Sequence, residues 1–170
     1  MYLNLKDYVW DKKLDDLTEK LAAEGIRVGR WEIGLGEDYD GMCDRVGSEY
    51  WRSVLQEETA KENPRPILAA VTDGHIVGFT GPVDRQENGR GWFTGICTDP
   101  LIGGKGAGSV LFNLLMKEFV AEGAQFTSLF TGLDNHAQKI YYRAGLRIVA
   151  HFAVLSCPLG DGERYEKRYY

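Results

Sequence analysis

The sequence predicts a mixed α/β (α+β) fold, with a mostly antiparallel central sheet flanked by helices. Three observations predict it. Between residues 67 and 98, three strand-like runs follow one another with only tight turns between them. The stretch "PLIGGKGAGSVLFNLL" (100–115) passes without a break from a glycine cluster into an apolar run of helical period. From 124 onward, strand-like and helix-like segments alternate.

The elements follow in order. Leu14, Leu17 and Leu21 space one face of a helix over 11–24, and Gly25 stops it. "IRVGRWEI" (26–33) alternates as a strand does, and "GLGEDYDG" reads as a loop. Residues 44–62 read as one or two helices, ended by Pro64 and Pro66. Two strand-like runs flank Asp73–Gly74, a pair that favours a tight primed hairpin turn. "RQENGRG" (85–91) supplies a second turn, and "WFTGICT" (92–98) the third strand of the meander. Leu111, Leu114, Leu115 and Phe119 share a helical face over 107–122. A strand over 124–131, a helix over 134–145 closed by Gly145, and a long strand over 146–157 follow. The tail 160–170 reads as either a last edge strand or an unstructured end.

Composition bounds the function. The 170 residues suit one domain, 1–170, with a substantial core. Hydrophobic residues make up 44% and charged residues 26%, as in soluble globular chains. The net charge of −5 argues against a nucleic-acid surface and leaves room for a cationic partner. Cys43, Cys97 and Cys157 are scattered, with no CxxC spacing, which suggests neither a metal site nor a disulfide framework; free thiols in a reducing cytoplasm are expected. No leader pattern and no long apolar run predicts a membrane location.

The glycine loop fails two nucleotide motifs. Gly104–Lys105 is followed by Gly106, so the hydroxyl that a P-loop needs is missing. The dinucleotide pattern finds Ser109 or Leu111 where its third glycine belongs, and the loop follows an antiparallel meander. The physics of anion binding remains: a helix start has unpaired N–H groups, glycines let an anion approach, and Lys105 adds charge. An ordinary strand-to-helix turn is the other reading.

Taken with "DNHAQKIYYRAGL" (134–146), the loop resembles the GNAT (GCN5-related) N-acetyltransferase superfamily, over about residues 67–150. Pro100, Gly106 and Gly108 fit the acetyl-CoA loop V-x-P-x-x-[RQ]-x-x-G-x-[GA], while Thr98 replaces the valine and Gly103 the Arg or Gln. Ala137, Tyr141 and Gly145 fit N-x-x-A-x-x-x-Y-x-x-x-G-F, while Asp134 and Leu146 replace Asn and Phe, and Asn135 stands one step out of register. The resemblance implies a sheet splayed at the acetyl-CoA site. It implies that the backbone of Ile96, Cys97 and Thr98 pairs with the pantetheine arm. It implies that Gly104, Lys105, Gly106, Ala107, Gly108 and Ser109 hold the diphosphate, with Asp134 as a further contact. It implies a tyrosine acid for the departing thiolate. Helical spacing puts Tyr141 on the face of Ala137, Ile140 and Ala144 and rotates Tyr142 about 100° away. A buried core aromatic is the other reading of Tyr141.

The expected partner is an amine-bearing acceptor on a small molecule or a protein. An aliphatic amine must shed a proton first, at a cost of about 4 kcal/mol at neutral pH. Glu32, Asp84, Asp134 and His136 are candidate bases, each also readable as a solvated surface group. The acidic "GEDYD" (36–40) could attract a cation or simply be solvated. Trp31, Tyr39, Tyr50, Trp51 and Phe79 are candidates for an acceptor pocket or for core packing. A non-catalytic CoA-binding domain is the alternative function. A homodimer, or one half of a tandem protein joined through the helical segment 1–25, are the assemblies considered.

Overall fold

The computed structural model describes residues 1–31 and 38–153. Its strands are β1 (Tyr2–Asn4), β2 (Arg27–Arg30), β3 (Leu68–Thr72), β4 (His75–Gly81), β5 (Asp84–Arg85), β6 (Arg90–Trp92), β7 (Gly95–Thr98) and β8 (Phe126–Ser128). Its helices are α1 (Lys13–Ala23), α2 (Asp40–Val46), α3 (Glu49–Thr59), α4 (Ala107–Ala121) and α5 (Gln138–Arg143).

The strands form two four-stranded sheets, ordered β1-β8-β6-β5 and β2-β3-β4-β7. The mixed, mostly antiparallel class flanked by helices holds, and among the described residues the expected central sheet is divided in two. The run 92–98 is broken at Phe93–Thr94, so β6 and β7 belong to different sheets. The break produces the splay. β6 and β8 run parallel for two residue pairs, Arg90 with Phe126 and Gly91 with Thr127. β7 then departs with β4, and β8 stays with β1.

The second sheet is buried on both faces, which explains the uninterrupted apolar run of β3. On one face Leu68, Ala70 and Val77 pack with Leu111, Phe112, Leu115 and Phe119 of α4 and Leu21 of α1. On the other, Ala69, Val71, Ile76 and Phe79 pack with Met42 and Cys43 of α2 and Leu55 of α3. Each fully buried large side chain contributes about 2 kcal/mol of transfer free energy. The β3–β4 hairpin has positive φ at both Asp73 (50°) and Gly74 (79°), as the primed turn requires.

Several boundaries move. The stretch 44–62 resolves into α2 and α3, split at Gly47 (φ 65°) with the Ser48 hydroxyl capping α3 at Trp51 N–H, 3.2 Å. Residues 2–4 form a strand rather than part of a helical segment. The expected strand 146–157 is absent over 146–153: only Arg147 bridges, to Tyr2. β1 occupies the place beside β8 and supplies that bridge. The remainder of that run, Cys157 and the tail 160–170 lie outside the described residues. Among the described residues, no helix is long and apolar enough to cross a membrane.

Candidate functional site

α4 begins without a side-chain cap. Gly106 stands at its N-cap with φ 94°, a conformation that glycine adopts readily. A β-carbon there would also stand 2.8 Å from Leu17 Cδ2, so α1 packs directly on the loop. The first helical N–H groups therefore keep their donors. Among the described residues, the N–H groups of Gly104, Gly106, Ala107 and Gly108 have no acceptor. Two expected members are occupied. Ser109 N–H donates to Gly106 O at 2.9 Å, and Lys105 N–H to Ile102 O at 3.3 Å. The Lys105 ammonium pairs with Glu24 Oε2 at 2.8 Å, at the end of α1. It stands beside the loop as half of an ion pair rather than as a free charge.

β7 presents an open edge on the side away from β4. Asp99 N–H donates to Val77 O at 2.8 Å, which fixes the phase of the ladder. Alternation then turns the polar backbone of Cys97 toward β4 and that of Ile96 and Thr98 toward the open edge. Ile96 packs on the α4 side of the sheet, and Cys97 on the α2–α3 side, where burial pushes its thiol up to about 11. Cys43 is a buried free thiol.

Three elements meet at Gly108. A β-carbon there would stand 3.3 Å from Ile140 Cδ1 of α5 and 3.6 Å from Thr98 Cγ2 of β7. The open strand edge, the uncapped helix start and α5 thus converge. Tyr141, next to Ile140, is buried with its ring 4.8 Å from that of Phe112. Its hydroxyl has no hydrogen-bond partner among the described residues, and burial raises its pKa above the usual phenol value. Tyr142 is exposed.

The remaining candidates scatter. Asp134 and His136 lie in the exposed turn before α5, where Asn135 Oδ1 accepts from Ala137 N–H at 2.9 Å. Asp84 lies 3.9 Å from Arg65. Glu32 is outside the described residues. In the described part of the acidic loop, Asp38 pairs with His75 at 2.9 Å and Asp40 with Arg52. Trp51 stacks edge-on to Phe79 at 5.5 Å and lies against Gly95, while Trp31 and Tyr39 pack on the same cluster and Tyr50 is exposed. A cavity of about 620 Å³ is lined by Met1, residues 128–133, Gln138 and residues 148–152, on the β1 side of β8. Among the described residues there is no cluster suited to a metal ion.

The sequence did not point to Arg45. Its guanidinium reaches the buried carboxylate of Asp99 at 2.6 Å, just before the glycine loop. Asp99 was not singled out either, although an aspartate just before a proline is a local signal for a side-chain cap; its Oδ1 accepts Leu101 N–H at 2.9 Å.

An uncapped helix start beside an open strand edge offers unpaired N–H groups next to unpaired strand backbone, an arrangement that suits an extended ligand ending in an anion. The sequence matches the Acetyltransferase (GNAT) family over residues 34–146, and the chain belongs to that family, whose members use acetyl-CoA. Solved structures share the fold. Aminoglycoside N-acetyltransferase AAC(6')-Iy, in complex with the bisubstrate analogue CoA-S-monomethyl-acetylneamine, matches with a TM-score of 0.59 at 14% identity, covering 79% of this chain and 99% of that one. The 6'-N-acetyltransferase AAC(6')-Ih from Acinetobacter baumannii matches at 0.55 and 14%, covering 80% and 100%. A GCN5-related N-acetyltransferase from Sphaerobacter thermophilus matches at 0.50 and 25%, covering 72% of this chain and 41% of that one. No curated protein sequence matches the chain.

Proposed function

We propose that the protein transfers an acetyl group from acetyl-CoA to an amine by direct attack. The observation that carries this reading is the uncapped start of α4, with unpaired N–H groups at 104, 106, 107 and 108. Four unpaired donors along one short stretch at a helix start suit a diphosphate, and the helix dipole adds to them. The free backbone groups of Ile96 and Thr98 offer strand-like pairing to the amides of a pantetheine arm. The thioester supplies the acyl group and a thiolate leaving group to a neutral amine.

Tyr141 is the proposed acid. Its neighbour Ile140 meets α4 and β7 at Gly108, its own ring lies beside Phe112 of α4, and its hydroxyl has no hydrogen-bond partner among the described residues. Burial holds the phenol protonated through the neutral range, which is the state an acid must be in. The aromatic cluster around Trp51 lies on the opposite face of β7 from α4 and forms the proposed wall for the acceptor.

Titration calorimetry with CoA and acetyl-CoA tests the cradle. Binding in the micromolar to submillimolar range is expected, and no heat at millimolar ligand with folded protein rejects it. Thiol release across a panel of aminoglycosides, polyamines and peptides then tests turnover. Binding with no turnover of any amine would favour a non-catalytic CoA-binding domain.

A further inference from the structure

Asp99 follows β7 and precedes Pro100, which opens the 3-10 turn Pro100–Ile102 leading into the glycine loop. Its side chain is fully buried. Its two oxygens have separate tasks. Oδ1 accepts Leu101 N–H at 2.9 Å and so caps the turn. Oδ2 accepts from Arg45 Nε at 2.7 Å and from its Nη2 at 2.6 Å. Burial by itself would raise the carboxyl pKa, but the Arg45 hydrogen bonds and Leu101 N–H outweigh it and hold the group below the usual carboxylate range. Among the described residues, Arg45 is its sole cationic partner.

Arg45 belongs to the last turn of α2, which packs on the face of the second sheet opposite α4. α2 and α3 are themselves tied together, because Arg52 of α3 bridges Asp40 and Asp44 of α2 as well as Glu49. The link from this paired unit to the glycine loop runs through one guanidinium and one buried carboxylate. Without Arg45, Asp99 becomes a buried anion with no counter-ion, and it must take up a proton or turn toward solvent. Proton uptake strips the charge that strengthens the cap setting where the loop starts, and turning toward solvent removes that cap altogether.

We propose that Arg45 is a positioning residue which, through Asp99, fixes the Pro100–Ile102 turn and with it the orientation of the free N–H groups at 104–108. α2 thereby governs how tightly the protein holds a diphosphate. This rests on the acetyl-CoA reading above.

The test is a double-mutant cycle in the full chain, read as calorimetric Kd for CoA and as amide hydrogen exchange over 101–108. Arg45→Gln is expected to weaken CoA about tenfold, the scale of one charge-assisted hydrogen bond. It should speed exchange at the loop amides, raise KM for acetyl-CoA, and leave kcat at saturation within about twofold. Arg45→Lys, which keeps the charge but loses the fork, should recover part of the affinity. In the Asp99→Asn background, where the carboxamide keeps the Leu101 cap and needs no counter-ion, Arg45→Gln should have almost no effect on Kd. Unchanged affinity in folded Arg45→Gln overturns the proposal, and so does a full tenfold loss that persists beside Asn at position 99. If Arg45→Gln does not fold, Arg45→Lys is compared in the wild-type and Asp99→Asn backgrounds, and a loss of CoA affinity that is absent in the first or equal in both overturns the proposal. Wild-type protein that binds no CoA would reject the acetyl-CoA reading itself, a separate outcome.

Discussion

The ring of Trp51 lies against Gly95 so closely that a β-carbon at position 95 would clash with Cη2. A helix of the 40–60 region and the first residue of β7 are thus fitted to each other. The Thr80 hydroxyl, donating to Gly95 O at 3.0 Å, pins the same residue from β4. Gly95→Ala must displace the indole that packs edge-on to Phe79. The expected cost is about 2 kcal/mol by urea denaturation. Trp51→Ala in the same background should make the alanine at 95 nearly neutral, because the clash has gone.

The cradle is best probed at Gly104. A β-carbon at Gly106 would meet Leu17, so a substitution there disturbs packing as well as binding. Gly104 has open space around the equivalent position and φ 76°. Asparagine tolerates that conformation, whereas aspartate adds a negative charge at the loop. Gly104→Asp should weaken CoA binding by about tenfold relative to Gly104→Asn, measured by calorimetry. Equal affinities for the two variants would remove Gly104 from the anion site.

The parts of this molecule legible in the sequence are those set by local chemistry. Asp73–Gly74 dictated its hairpin, and the leucine spacing of 107–122 dictated α4. The glycine loop was readable because a helix start without a capping side chain is a local property. The break at Phe93–Thr94 was not readable, because a run such as "WFTGICT" has strand propensity throughout, and its division depends on which strands lie beside it. The missing strand at 146–153 has the same cause: β1, distant in sequence, stands beside β8 and bridges Arg147. Ion pairs across long separations were equally hidden. Lys105 read as a free charge at the loop, and its engagement by Glu24 follows only from the packing of α1 beside it.

Acid should destabilise the protein through Glu58. This carboxylate is buried and receives Arg65 N–H at 2.7 Å, the Arg65 guanidinium at 2.8 Å and Lys61 Nζ at 2.7 Å. Burial alone would raise its pKa, but these partners bring it down to about 2 from 4.5. The folded value is depressed, so the stabilisation is complete above pH 4.5 and is lost as pH falls toward about 2. Because Arg65 and Lys61 remain partly exposed, the contribution is about 2 kcal/mol. Stability of Glu58→Gln against pH should be lower at neutrality and flatter between pH 5 and about 2. A variant with the wild-type acid slope would assign that slope to other carboxylates.

Tyr141 faces opposite demands from packing and chemistry, and its pH behaviour separates them. Its ring fills the space beside Phe112, which Tyr141→Phe preserves. The hydroxyl has no hydrogen-bond partner among the described residues, so its removal should leave stability within about 0.5 kcal/mol. Turnover should fall by about a hundredfold while the Kd for acetyl-CoA stays nearly unchanged, as expected for a group that acts only as the thiolate leaves. The raised pKa adds a second expectation. The phenol stays protonated past its ordinary value of 10, so the wild-type rate should show no alkaline loss from this group below that pH. Folding reads the same shift with the other sign. Above pH 10 the unfolded phenol ionises more readily than the folded one, so stability drops as pH rises there, and the phenylalanine variant should lose that drop. Unchanged turnover together with the lost alkaline drop would identify Tyr141 as a core residue and return the acid's role to solvent.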